Sequence, residues 1–379
     1  GKISAIDVDL LVNNLTPQNT VSLLEEVEQM VRRLRRSPET LHTLPSTQHA
    51  VIRALFDTAQ NQELLKMLCN PLTYGIFLEN FTANILLDNF IVNKDYVSGA
   101  MVASFLMLQE DFGSKLTRSL AVTAAYNWAM TQHDQIWPNY YIQKEEPLEE
   151  VKVRVSYVRN PYFDDHFDLR VPEHIVGKTL AWGAQNLEGS IRSSCELLGW
   201  ALYQKWNKVS DLINDNKEPF AMCVVDKVKG LLIEAKEEES EEEKISRESI
   251  LTKLNQVTTV ELDIHTELMK LIEVSSKLTE NYDIEEQKKL YTSWEEQRQI
   301  EVERQLHLYE KQRLMAEIEE KKKDLKEREE VIFFFDNEEK LEMMLPDKKK
   351  KYYPKKNSLK FGKKKPKKVD EGYIPPTVR

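Results

Sequence analysis

Apolar residues recur at helical spacing through most of this chain, and the clearest stretch runs from Phe81 to Phe112. Its first half places Leu86, Leu87 and Phe90 on one helix face, and its second places Tyr96, Gly99, Ala103 and Leu106 on one face of another. Asn93-Lys94-Asp95 supplies the turn between them, with Asp95 positioned to cap the second helix. Such an amphipathic pair cannot bury both faces alone and needs neighbours. The pattern supplies them. Thr47, Thr82 and Thr117 stand 35 residues apart, and each is followed at the same offsets by an apolar triplet: Val51, Ile52, Leu55; Leu86, Leu87, Phe90; and Ala121, Val122, Ala125. Three helices in phase indicate a stacked α-repeat.

On either side the pattern changes. Residues 6–34 read as two helices broken near Pro17, and residues 1–130 form a first block of helical repeats. Within 131–172 the stretch VKVRVSYVR at 151–159 alternates strictly, and alternation resumes at 166–171 after an Asn160–Asp165 turn, which predicts a β-hairpin inserted among helices. Helical spacing returns over 173–235, through Leu180, Trp182, Leu198, Trp200 and Trp206 and into a last apolar helix from Phe220. The acidic run Glu237–Glu243 predicts a solvated linker over 236–249. Beyond it Ile250, Leu254, Val257, Ile264, Leu268, Leu271 and Leu278 follow a 4-3 heptad. Asn281 reads as a stop, and Asp283 with Glu286 as a capping box, so 250–330 is expected to form a two-helix coiled-coil hairpin. Residues 331–379 comprise an apolar docking segment, Val331–Phe335, and a lysine-rich tail. The fold class is therefore all-α, a helix-turn-helix solenoid with an inserted β-hairpin, followed by a long coiled-coil helical hairpin and a basic tail.

Charge sharpens this division. The chain carries -10 overall, but from Lys348 onward 13 basic residues face 2 acidic ones, a local +11 that leaves -21 on the first 347 positions. Only 11 glycines occur among 379 residues, which argues against Gly-rich nucleotide-binding folds. No window approaches the length of apolar chain that a membrane span needs. Cys69, Cys195 and Cys223 are widely spaced in apolar surroundings, the pattern of reduced, buried thiols. The sequence starts at Gly1 with no signal-peptide pattern, and any N-terminal address is expected to lie outside it.

The 35-residue spacing and the run Phe81-Thr82-Ala83-Asn84-Ile85-Leu86-Leu87-Asp88 resemble the pentatricopeptide repeat, with a small residue at Gly99 and the preceding Tyr74-Gly75-Ile76-Phe77 like that family's inter-repeat Gly-Ile step. Leu78-Glu79 replaces its usual Pro-Asp. Residues 74–112 are similar, more narrowly, to a pentatricopeptide-repeat family of the mitochondrial ribosomal small subunit; the likeness is looser over 1–330 and fails from about Val331. This resemblance implies a mitochondrial, ribosome-bound, non-enzymatic protein whose partners are small-subunit rRNA and neighbouring mitochondrial ribosomal proteins, with no cofactor, small-molecule substrate or membrane. It also implies that single bases would be read at His49, Asn84 and Ser119, of which only Asn84 is a typical reader.

The strongest chemical signal lies outside the repeats. Between Lys348 and Lys368 stand Lys348, Lys349, Lys350, Lys351, Lys355, Lys356, Lys360, Lys363, Lys364, Lys365, Lys367 and Lys368, interleaved with Tyr352, Tyr353 and Phe361. Lysines neutralise phosphates and release counterions, and aromatics stack on unpaired bases. With no Arg present, contact is expected to the RNA backbone rather than to base edges. Two other readings stand beside a structural ribosomal role: an RNA-processing or translation factor reading single strands through the repeat groove, and a coiled-coil adaptor. Gly177-Lys178-Thr179 lacks the earlier Gly of a phosphate loop, and Asp164, Asp165, His166 and Asp168 suit a hairpin turn better than a metal site. No nucleophile-base constellation points to catalysis.

Overall fold

A computed structural model describes residues 3–131, 137–140, 166, 169–216, 218–234, 241–333, 338–340 and 343. The expected β-hairpin lies almost wholly outside them, as do residues 237–240, the end of the apolar docking segment at 334–335 and the lysine tail. Two units are distinguished, 1–306 and 307–379.

The described residues of the first unit are mostly helical. Helices α1 (Ala5–Asn13) and α2 (Pro17–Arg35) are separated near Pro17, as the sequence predicts. The repeats follow: α3 (Pro45–Asp57) with α4 (Asn61–Cys69) and the short α5 (Pro71–Tyr74), α6 (Asn80–Val92) with α7 (Tyr96–Leu108), and α8 (Lys115–Met130) with α9 (Pro172–Gly183). Thr47, Thr82 and Thr117 occupy the same third position of α3, α6 and α8, and all are buried. Thr82 Oγ1 accepts from the Glu79 N–H at 3.2 Å, half of a capping box, while Thr117 meets the Ser114 cap at 2.9 Å. The nine residues of the repeated triplets are each no more than 2% exposed. The 35-residue period therefore repeats both a helix start and a core face.

One expectation changes inside this block. Helix α7 is apolar on all sides rather than amphipathic, with every residue from Gly99 to Met107 buried. It packs against α4, α6, α8 and α9, which is the environment that a uniformly apolar helix requires. Gly99 sits where Ala124 of α8 and Phe90 of α6 close in.

Helices α9 and α10 (Gly189–Leu202) pack closely against each other. At their crossing an added Cβ on Gly177 would lie 2.7 Å from the Gly199 carbonyl oxygen, and one on Gly199 would lie 2.6 Å from the Ala181 nitrogen. The Gly177-Lys178-Thr179 stretch is thus helix interior, with its glycine used for packing. Helix α11 (Trp206–Asp215) follows, and then Phe220 and Ala221 form a strand, β1, rather than the start of a helix. Helix α12 (Met222–Glu234) begins only at Met222. The β1 strand pairs in parallel with β2 (Thr259–Val260), held by the buried Ser194 hydroxyl, which accepts from the Ala221 N–H at 2.9 Å.

Two boundaries move in the C-terminal half. Helix α13 (Glu241–Gln256) starts inside the expected linker. The long helical arm is present as α14 (Ile264–Ile332), but it is one helix: the turn falls at 257–263, and there is no break at Asn281. A local stop signal does not outweigh a surrounding run of good helix formers. Ile250, Leu254, Ile264 and Leu268 of the heptad are at most 2% exposed and belong to the core of the first unit.

In the second unit α14 continues as a solvated helix. Leu314, Ile318 and Leu325 are more than half exposed. Arg313 and Glu317 lie 3.6 Å apart, and Glu317/Lys321 and Glu319/Lys323 repeat the same four-residue spacing, so the helix is supported along its own surface.

The cysteines divide. Cys69 and Cys195 are buried, and burial pushes both thiols up to about 12, so neither supplies thiolate at neutral pH. Cys223 does not follow the sequence expectation: it is exposed on the first turn of α12. A thiol reagent added to the native protein is expected to modify Cys223 and to reach the other two only on unfolding. Equal labelling of all three would show that the core opens readily.

Candidate nucleic-acid interface

The residues expected to face bases stand at equivalent positions of α3, α6 and α8, but their surroundings differ. His49 is 8% exposed. Its ring stacks on Phe81 at 5.5 Å, Nδ1 meets the Glu79 carboxylate, and Nε2 faces the Tyr291 hydroxyl at 3.3 Å. Trp294, only 6% exposed, closes the site with its ring 5.1 Å from the imidazole. Ser119 is 4% exposed and donates to the Lys115 carbonyl at 2.9 Å. Asn84 is half-buried, and its Oδ1 has no hydrogen-bond partner. The structure therefore engages His49 and Ser119 within the protein and leaves the Asn84 amide oxygen as the unsatisfied group of the three.

What covers His49 is α14, and three further interactions hold it. Asp9, fully buried on α1, accepts from Ser46 Oγ at 2.6 Å, Thr47 Oγ1 at 2.7 Å and Arg298 Nε at 2.7 Å. Ser4 Oγ donates to Gln305 at 2.8 Å, and Arg304 reaches Glu39 at 3.7 Å while forming a bidentate pair with Glu301. Residues 291–305 thus lie along α1, α3 and the start of α6, contributing aromatic rings and one charge to groups that would otherwise be stranded.

A basic feature of the described residues was not singled out from the sequence. Arg32, Arg33, Arg35 and Arg36 fall within five positions where α2 ends, the helix end that attracts cations. Beside them a cleft of about 200 Å³ opens between α2, the Pro38–His42 turn, the first turns of α3 and the Tyr74–Phe77 segment. Val31, Leu34 and Ile76 give it an apolar wall, and Arg35, Thr40, Thr43 and Gln48 give it polar groups. Gly75 has φ +69°, and the stem of Arg35 lies across it, 3.0 Å from where a Cβ would stand. Tyr74 turns its hydroxyl away to the Glu28 carboxylate, which also pairs with Lys66 at 3.1 Å. Burial opposes ionisation of Glu28, but the Tyr74 and Lys66 interactions outweigh it, and the carboxyl is held below its ordinary range.

No helix among the described residues is long and apolar enough to cross a membrane. The model of one protein family, described as mitochondrial 28S ribosomal protein S27, matches residues 1–324. The matched span takes in the helical repeats, the cleft and nearly all of α14, and it ends before the lysine tail, close to where the resemblance noted from the sequence fails. On that match the chain belongs to the mitochondrial 28S ribosomal protein S27 family, and so to the protein complement of the mitochondrial small ribosomal subunit.

Proposed function

We propose that the chain is a structural, non-catalytic component of the small subunit that grips rRNA through Lys348–Lys368, while its helical repeats and α14 offer surfaces to neighbouring ribosomal proteins. Charge partition carries this reading: +11 on the last 32 residues against -21 on the rest. An acidic body is repelled by RNA, whereas a concentrated lysine arm is drawn to phosphate. The family match supports the ribosomal setting. Engagement of His49 and Ser119 within the protein favours backbone contact over base reading by the repeats.

Deleting Lys348–Lys368 is expected to weaken binding to small-subunit rRNA and to flatten its salt dependence by about 0.7 to 0.9 in log-log slope for each phosphate that is no longer neutralised, with little change in sequence preference. Filter binding of the full and shortened chains across a salt series measures this. An unchanged slope would show that the tail meets no phosphate. A shift in target preference caused by Asn84→Ala would instead favour base reading through the repeat groove.

A further inference from the structure

The arginine-lined cleft is not needed to explain the fold. Cations at the end of α2 gain from the helix dipole, but one or two would suffice. Four arginines in five positions, in a body that is otherwise strongly acidic, concentrate positive charge at the end of α2, and Arg35 among them lines the cleft. The nearby carboxylates are already engaged: Glu28 by Lys66 and Tyr74, and Glu39 by Arg304. Arg35 and Arg36 make no hydrogen bond or ion pair among the described residues. Arg36 is exposed and Arg35 half-buried, and their two guanidinium forks carry ten donors in a geometry suited to phosphate oxygens.

The cleft behind them has the complementary chemistry. Its volume, about 200 Å³, is below the range of sites for drug-sized ligands and suits a single planar ring system. Val31, Leu34 and Ile76 form the apolar wall, and Phe77, 42% exposed, offers an aromatic face at the rim. Gln48 brings an amide with both donor and acceptor, and Thr40 and Thr43 bring hydroxyls, the groups that read a base edge.

We infer that this cleft receives one unpaired nucleotide of RNA, with the base against the apolar wall and Phe77 and its phosphate on Arg35 and Arg36. The assignment rests on the reading that the chain works on rRNA, but it adds a second point of attachment that is selective for single strands, far from the tail in sequence. A duplex can satisfy the lysines but cannot offer a free base.

The test is photo-crosslinking of the full chain to a single-stranded RNA substituted with 4-thiouridine, with adducts mapped by mass spectrometry. Adducts are expected on the tail and on the segment 74–77. The pair Arg35→Ala and Arg36→Ala should reduce the 74–77 adduct by about tenfold and leave the tail adduct in place, since each charge-assisted hydrogen bond removed is worth at least about that factor. Gly75→Ala, which displaces the Arg35 stem without removing its charge, should act in the same direction, and melting curves identify any variant that fails to fold. Absence of a 74–77 adduct, or its persistence in the arginine variant, overturns the assignment. So does displacement of RNA from this segment by an acidic peptide such as polyglutamate at concentrations where unlabelled single-stranded RNA has no effect. Adducts on the tail alone would leave the tail reading intact and sink this one. Adducts on 74–77 alone would do the reverse.

Discussion

Gly199→Ala is expected to destabilise the protein by about 2 kcal/mol, although alanine is the better helix former by nearly 1 kcal/mol. The new methyl would meet three backbone atoms, the Ala181 nitrogen at 2.6 Å, the Gly177 oxygen at 2.7 Å and the Ala181 Cα at 3.0 Å. No side chain can rotate away to make room, so α9 and α10 must separate along their whole interface. Gly177→Ala should behave alike, because its Cβ would press on the Gly199 oxygen and the Tyr203 nitrogen from the other side. The two losses should fall short of additive in the double variant, since the first already opens the crossing. Gly230 is the control: it is helical, and nothing lies within 4 Å of its Cβ position, so Gly230→Ala should raise stability by about 0.5 to 1 kcal/mol. Denaturant midpoints of the four variants, each against the parent protein, decide the matter. A neutral Gly199→Ala would mean that the helices are further apart than described.

Asp9→Ala should cost about 3 kcal/mol and loosen residues 291–305 together with α1. The carboxylate is fully buried and accepts from Ser46, Thr47 and Arg298, so its removal leaves two hydroxyls and a guanidinium without their partner. Arg298→Ala should cost less, because Asp9 keeps both hydroxyls and the arginine is itself 25% exposed. Limited proteolysis provides the second readout. Cleavage between 291 and 305 should accelerate in Asp9→Ala well beyond its effect at the α9–α10 crossing, and equal protection in both proteins would show that Asp9 does not hold α14.

These interactions also show which parts of the molecule are legible in the sequence. The 35-residue period is legible because it repeats a helix start and a buried face at once, and Thr47, Thr82 and Thr117 all sit where the period puts them. The expected break at Asn281 does not occur because stop and cap residues report local preference, whereas the continuity of α14 reflects the helix formers on both sides. Phe220 reads as helix from its neighbours, yet a partner strand 39 positions away draws it into β1. The cover over His49 is hidden in the sequence for a similar reason. Nothing near His49 in the chain announces Tyr291 and Trp294, and the sole sign at the other end is a charged residue, Asp9, on the apolar side of α1. The cleft does leave a trace, four arginines at the end of α2, but its apolar wall is assembled from segments that meet only when the first repeat closes.

The hold of α14 on the first helices bears on how this protein comes to be made. Most of its helix pairs join neighbours in sequence, so they can form in turn as the chain is synthesised. Asp9 is different, because its counter-ion is 289 positions later. Until residue 298 has emerged, the earliest helices carry an uncompensated carboxylate and a histidine without its tryptophan cover. The repeat that contains α3 is therefore completed only after those that follow it, and a chain interrupted anywhere before α14 leaves Asp9 and His49 without their α14 partners.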